Sequence, residues 1–180
     1  ELHSIKKLIF DNCSGKLSLE DMNKFPDLEF IVIYFNVNEK FDIIGSLPGA
    51  ESLLNINLYN ASEKDIPAAK ISFSNPLSLR LKDCSTQGTI YLLKSIDSPI
   101  QFLEIKNSDI DIQAAKYISE IKGLEQLSVC DCGWTEEVVK MIATSQSLQR
   151  IIVTGSHIEN LDLSSELKGQ DEGRTIDIIP

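Results

Sequence analysis

Nucleophiles, bases and metal ligands are sparse in this 180-residue chain. Its histidines are His3 and His157, and its cysteines are Cys13, Cys84, Cys130 and Cys132. A nucleophile–base pair must meet at hydrogen-bond distance, and the two histidines stand near opposite ends of the chain. Cys130-x-Cys132 is half a metal site, but no second Cys or His pair completes the four ligands of a structural zinc. Gly45-Ser46-Leu47-Pro48-Gly49 lacks the Gly-Lys-Ser/Thr ending of a phosphate loop and reads as a turn. Asn12-Cys13-Ser14 and Asn60-Ala61-Ser62 match the glycosylation sequon, a pattern common by chance. The expectation is no enzyme, no metal and no cofactor.

The elements that carry these residues are clearest from Leu124 to Ala143. Leu124, Leu127 and Val129 are spaced as in a strand with one buried side, and Cys132 follows three positions later. Val138, Val139 and Ile142 then fall on one side of a helix. Gly133-Trp134-Thr135 makes the turn between them. Thr135 is a natural N-cap, and Glu136 and Glu137 suit the positive end of the helix.

One such unit cannot bury its own apolar side, and the chain repeats it. Leu8, Ile31, Ile56, Leu79, Leu103, Leu127, Ile151 and Ile176 hold equivalent places, at steps of 23, 25, 23, 24, 24, 24 and 25 residues. The units read Ile5-x-x-Leu8-x-Phe10-x-x-Cys13, then Leu28 to Asn36, Leu53 to Ala61, Pro76 to Cys84, Ile100 to Ser108, Leu124 to Cys132 and Leu148 to Ser156. Ile176-x-Ile178 is an eighth strand. A fixed period marks a repeat architecture. Between strands, helices are expected at Ser18 to Phe25, Gln87 to Ile96 with Thr86 as cap, and Asp111 to Ile121. Pro48 and Pro67 limit helix in Glu39 to Leu47 and Ser62 to Lys70, and Ser164 to Gly173 reads as a loop.

The pattern L-x-x-L-x-L-x-x-(N/C) resembles the leucine-rich repeat superfamily over essentially residues 1–180, one domain. The helix-bearing units are similar to those of NOD-like receptors, F-box adaptors and the ribonuclease-inhibitor group. That resemblance implies an α/β solenoid and binding of a protein partner through its concave face. Parallel strands spaced about 4.8 Å apart against helices about 8–10 Å apart bend such an array into a horseshoe, with a concave face on the order of 34 Å long.

Residues between the repeated leucines point away from the core. Phe30, Tyr34, Tyr59, Arg80, Lys82, Phe102 and Lys106 then form one concave patch, rich in the aromatic and arginine side chains that anchor interfaces. The expected ligand is an acidic or phosphorylated protein segment. The plainer alternative has Arg80 paired with Glu104 across strands and the tyrosines covering the sheet. A further alternative is a structural or autoinhibitory segment that packs on other domains of a longer chain.

A formal charge of −10 argues against nucleic acid or an anionic membrane as partner. No apolar run approaches the roughly 20 residues that span a bilayer. Cys13, Cys84 and Cys132 share one place in three repeats and are expected buried and reduced, which favours the cytoplasm. Strands at both ends lead us to expect an excerpt with exposed apolar edges and a tendency to self-associate.

Overall fold

Eight segments with period-2 apolar spacing form strands, and the returns between them differ in the two halves of the chain. A computed structural model describes residues 4–36, 38, 41–47, 52–53, 55–62, 72–73, 77–155 and 175–179. His3, His157, Pro76, Ser156, the segment 63–70 and the segment 164–173 lie outside the described residues.

The main sheet is made of β1 (Lys7–Asp11), β3 (Phe30–Tyr34), β6 (Asn55–Tyr59), β8 (Leu77–Lys82), β9 (Ile100–Lys106), β10 (Gln126–Cys130), β11 (Arg150–Thr154) and β12 (Thr175–Ile179). These eight strands lie side by side in that order, an open α/β sheet with β1 and β12 at its edges. Every pairing is parallel. Equivalent repeat positions stand opposite one another, Leu8 by Ile31, Leu79 by Leu103 and Leu127 by Ile151. Alternation therefore puts one apolar set on one side of the sheet: Leu79, Leu81, Leu103, Ile105, Leu127 and Val129 are fully buried. In the fourth repeat the buried residue beside Pro76 is Leu77, which pairs with Ile100, and a register shift between Leu77 and Ser78 absorbs the offset. At β1 the inward Leu8 and Phe10 are only partly buried, as expected of an edge.

The sheet's hydrogen bonding continues one residue past each strand. The N–H groups of Phe35, Asn60, Asp83, Asn107 and Asp131 donate to the carbonyls of Tyr59, Lys82, Lys106, Cys130 and Thr154 on the next strand. That residue takes a left-handed conformation at Asn12, Asn60, Asp83, Asn107, Asp131 and Gly155, with φ of 48 to 62°. Asn, Asp and Gly are the types that tolerate it. The chain so turns off each strand toward its return, and the polar repeat residue is a determinant of the fold.

Among the described residues three returns are α-helical, α1 (Thr86–Ser95), α2 (Ile112–Glu120) and α3 (Glu136–Ala143). Ile90, Leu92 and Leu93, then Ala114, Ala115 and Ile118, then Val138, Val139 and Ile142 are their buried apolar side chains. Asp111 and Thr135 cap α2 and α3 by accepting from Ala114 and Val138 N–H. The cap of α1 is Ser85, which accepts from Gly88 N–H, and not Thr86, whose hydroxyl donates to the Asp109 carbonyl.

The earlier returns are less helical than expected: the segment read as a helix at Ser18 to Phe25 is helical over Leu19–Lys24, but as a 3₁₀ turn, and short strands flank it. Leu19–Lys24 is a 3₁₀ helix whose preceding Ser18 makes no side-chain cap. Ser18 instead ends β2 (Gly15–Ser18), which pairs in parallel with β4 (Phe41–Ile44). β5 (Ser46–Leu47) pairs with β7 (Ser72–Phe73). The reason lies in Phe41 and Ile43, buried with alternate spacing. Phe41 packs its ring 6.2 Å from both Phe10 and Phe35, and two β-branched residues after it favour extended backbone. No helix among the described residues is long and apolar enough to cross a membrane.

Candidate functional site

The side of the sheet opposite the core carries three residues from each strand. Across β1, β3, β6, β8, β9 and β10 the row at the C-terminal ends reads Asp11, Tyr34, Tyr59, Lys82, Lys106, Cys130. Tyr34 and Tyr59 stack, with ring centroids 4.4 Å apart and planes 18° from parallel. The Lys82 ammonium lies 5.9 Å from the Tyr59 ring centroid, within reach of a cation–π attraction. Burial, and then Tyr34 beside it, push the Tyr59 phenol up from its ordinary value. Tyr59 is therefore a neutral, partly covered ring at physiological pH.

The basic residues stand next in line, and each meets a carboxylate. Arg80 Nε lies 2.9 Å from Glu104 Oε2, the cross-strand pair foreseen as the plainer alternative. Lys82 Nζ is 3.7 Å from Asp83 and Lys106 Nζ is 3.6 Å from Asp131. Cys130 first, and Asp131 second, hold the Lys106 ammonium above the usual lysine range. Such exposed pairs are weakened by solvent and salt and open readily. On β8 and β9 the cations Arg80, Lys82 and Lys106 are matched one for one by Glu104, Asp83 and Asp131, so this part of the outward side is locally neutral on a chain of net −10.

The seven residues of the expected patch share this side, but not one tight cluster. Tyr34, Tyr59, Arg80, Lys82 and Lys106 lie on four consecutive strands. Phe30 and Phe102 are three strands apart, with Asn55 and Ser78 between them in register. Val32, an outward position, is buried, whereas Ile9 beside it on β1 is 56% exposed and Tyr34 is 37% exposed. Sequence spacing did not single out Ile9. Its signal was an apolar residue on the outward position of an edge strand. Asp83 and Asp131 were missed too, and their signal was the Asn/Asp place that ends each strand.

No protein-family model, curated protein or solved structure matches this chain. What the arrangement can do is therefore read from its own groups. Among the described residues there is no group of three or more His, Cys, Asp or Glu side chains that could hold a metal.

The thiols divide into two kinds. Cys84 and Cys132 are buried at the inward ninth position, while Cys13 and Cys130 are half-buried, and none of the four is in a disulfide. The expectation of a buried Cys13 fails because its repeat sits at the edge of the sheet. The Cys132 thiol donates to the Ile105 and Cys130 carbonyls. Cys84 does the same to Leu58 and Lys82, so these thiols tie each turn to the strand before it. Burial pushes the Cys132 thiol up to about 11 from 9.0. Its proton is lost by the unfolded chain first. This group's contribution to stability is complete below pH 9 and disappears as pH rises through about 11. In native protein at pH 8, Cys13 and Cys130 should label with a maleimide, and Cys84 and Cys132 only after unfolding. Equal rates at all four would show that the ninth position is not inside.

Proposed function

We propose that this chain is a leucine-rich repeat solenoid acting as a protein-interaction module, with the outward, concave side of its sheet as the binding surface. The observation that carries this reading is the Tyr34–Tyr59 stack beside three ion-paired cations on the outward side of the sheet. Aromatic rings and arginine supply contact area at small conformational cost, and they dominate binding energy at interfaces. The 23–25 residue step and the parallel, in-order strands support the solenoid. The role is binding rather than catalysis. Four cysteines, none of them in a disulfide, support a cytoplasmic setting.

Calorimetric titration of outward and α3 variants with a bound partner tests the reading. Tyr59→Ala or Tyr34→Ala should weaken binding by about 2 kcal/mol, the scale of an interface hot spot. Glu136→Ala on α3 should change it by less than about 0.5 kcal/mol, as at a non-contacting surface site. The reverse ranking would make the outward side mere sheet surface.

A further inference from the structure

The edge strand β1 is complementary to itself, and we infer that it pairs antiparallel with β1 of a second copy, about a two-fold axis at Ile9. Backbone direction allows this. At both ends of β6 the outward residue bonds to the strand before it. Asn55 N–H donates to the Glu29 carbonyl, and the Tyr59 carbonyl accepts from Phe35 N–H. Next to β1, the Lys6 carbonyl accepts from Glu29 and Phe30 N–H, on the β3 side. Alternation then turns the N–H and C=O groups of Lys7, Ile9 and Asp11 away from β3. On that side no described strand lies. A row of such groups is a template for a further strand.

The side chains choose which strand. With Ile9 opposite its counterpart, Lys7 faces Asp11 of the second copy, and Asp11 faces Lys7. Opposite charges so placed attract, and each facing pair exchanges two backbone hydrogen bonds. Both charges are available. Neither makes an ion pair among the described residues, and Asp11 only accepts from Asn12 Nδ2 at 3.2 Å. Ile9, 56% exposed, is covered by its own copy. On the inward side Leu8 faces Phe10, and both are only partly buried in the single chain. Head-to-tail stacking with β12 in the repeat register fits worse. It would set Thr175, Asp177 and Ile179 against Lys7, Ile9 and Asp11, pairing neither charge. The returns leave room for the two-fold contact. β2 and β4 are themselves paired strands, so this end does not widen as a layer of helices would.

Sedimentation equilibrium from about 10 μM to about 1 mM tests this, in about 0.15 M salt to screen repulsion between acidic chains. The protein should form dimers and nothing larger, because a two-fold contact uses up the edge. Lys7→Glu and Asp11→Lys each bring like charges face to face and should weaken the dimer about tenfold. Asp11→Lys also lowers the net charge of the chain, so weakening by it is not an effect of overall repulsion. Mixed one to one, the two variants should associate with each other about as tightly as the parent protein does with itself, because every facing pair is again of opposite charge. Circular dichroism checks that each variant is folded. A monomer throughout the range would overturn the inference, as would growth beyond the dimer or indifference to Lys7→Glu. Weakening by both variants without restoration in the mixture would overturn the antiparallel register.

Discussion

Leu103→Ala is expected to lower folding stability by about 3 kcal/mol, within the range for a leucine truncated in a close-packed core. Leu103 is fully buried on β9, between Leu79 on β8 and Leu127 on β10, which are fully buried too. Its neighbours belong to the repeats before and after, so the cavity opens between three units and cannot close by moving one of them. The adjacent residue Phe102 points the other way and is half-buried. Phe102→Ala removes a larger side chain, yet should cost less than half as much. Urea unfolding of the two variants gives the comparison directly. A larger loss at Phe102 would put the register off by one residue, because a one-residue slip exchanges the two sides of a strand.

Gly88→Ala should also destabilise, against the ordinary trend. Within a helix, alanine is favoured over glycine by about 1 kcal/mol. At Gly88, in the first turn of α1, an added Cβ would stand 2.8 Å from the Ala61 carbonyl carbon and 3.0 Å from Ser62 Cα. These are backbone atoms, and the Ala61 carbonyl is held by the Ser85 N–H at 3.0 Å. They cannot swing aside as a flexible side chain would. Overpacking of this kind costs about 1–3 kcal/mol, so the net change should be a loss, read as a lower thermal midpoint. A midpoint raised by the substitution would mean that α1 does not approach the preceding repeat so closely.

The strands were legible in the sequence because one constraint governs them all. Leu8, Ile31, Ile56, Leu79, Leu103, Leu127 and Ile151 face a single core at a nearly constant step, and parallel pairing in register follows from it. The helices were legible where caps and period agreed, as at Asp111 and Thr135. The early returns were not. Leu17, Phe41 and Ile43 leave too few apolar residues to separate two periods, and their extended form is settled by long-range packing of Phe41 against Phe10 and Phe35. The outward rows followed from alternation alone, but the partners of their charges did not. Asp83 and Asp131 reach Lys82 and Lys106 from a left-handed turn residue, a direction that strand alternation does not give. Ile9 owes its exposure to the edge position of β1, which depends on strand order rather than on the residue's type.

Cysteine-accessibility mapping of β9, free and in complex, tests the outward side as binding surface most directly. In a background with Cys13 and Cys130 replaced by serine, single cysteines are placed in turn at Phe102, Leu103, Glu104, Ile105, Lys106 and, on α3, Glu136. In the free protein Phe102, Glu104, Lys106 and Glu136 should label and the other two should not. With a bound partner, labelling at Glu104 and Lys106 should fall sharply while Glu136 stays as reactive as before. Continued labelling at Glu104 and Lys106 with protection at Glu136 would place the binding surface on the helices and contradict the account.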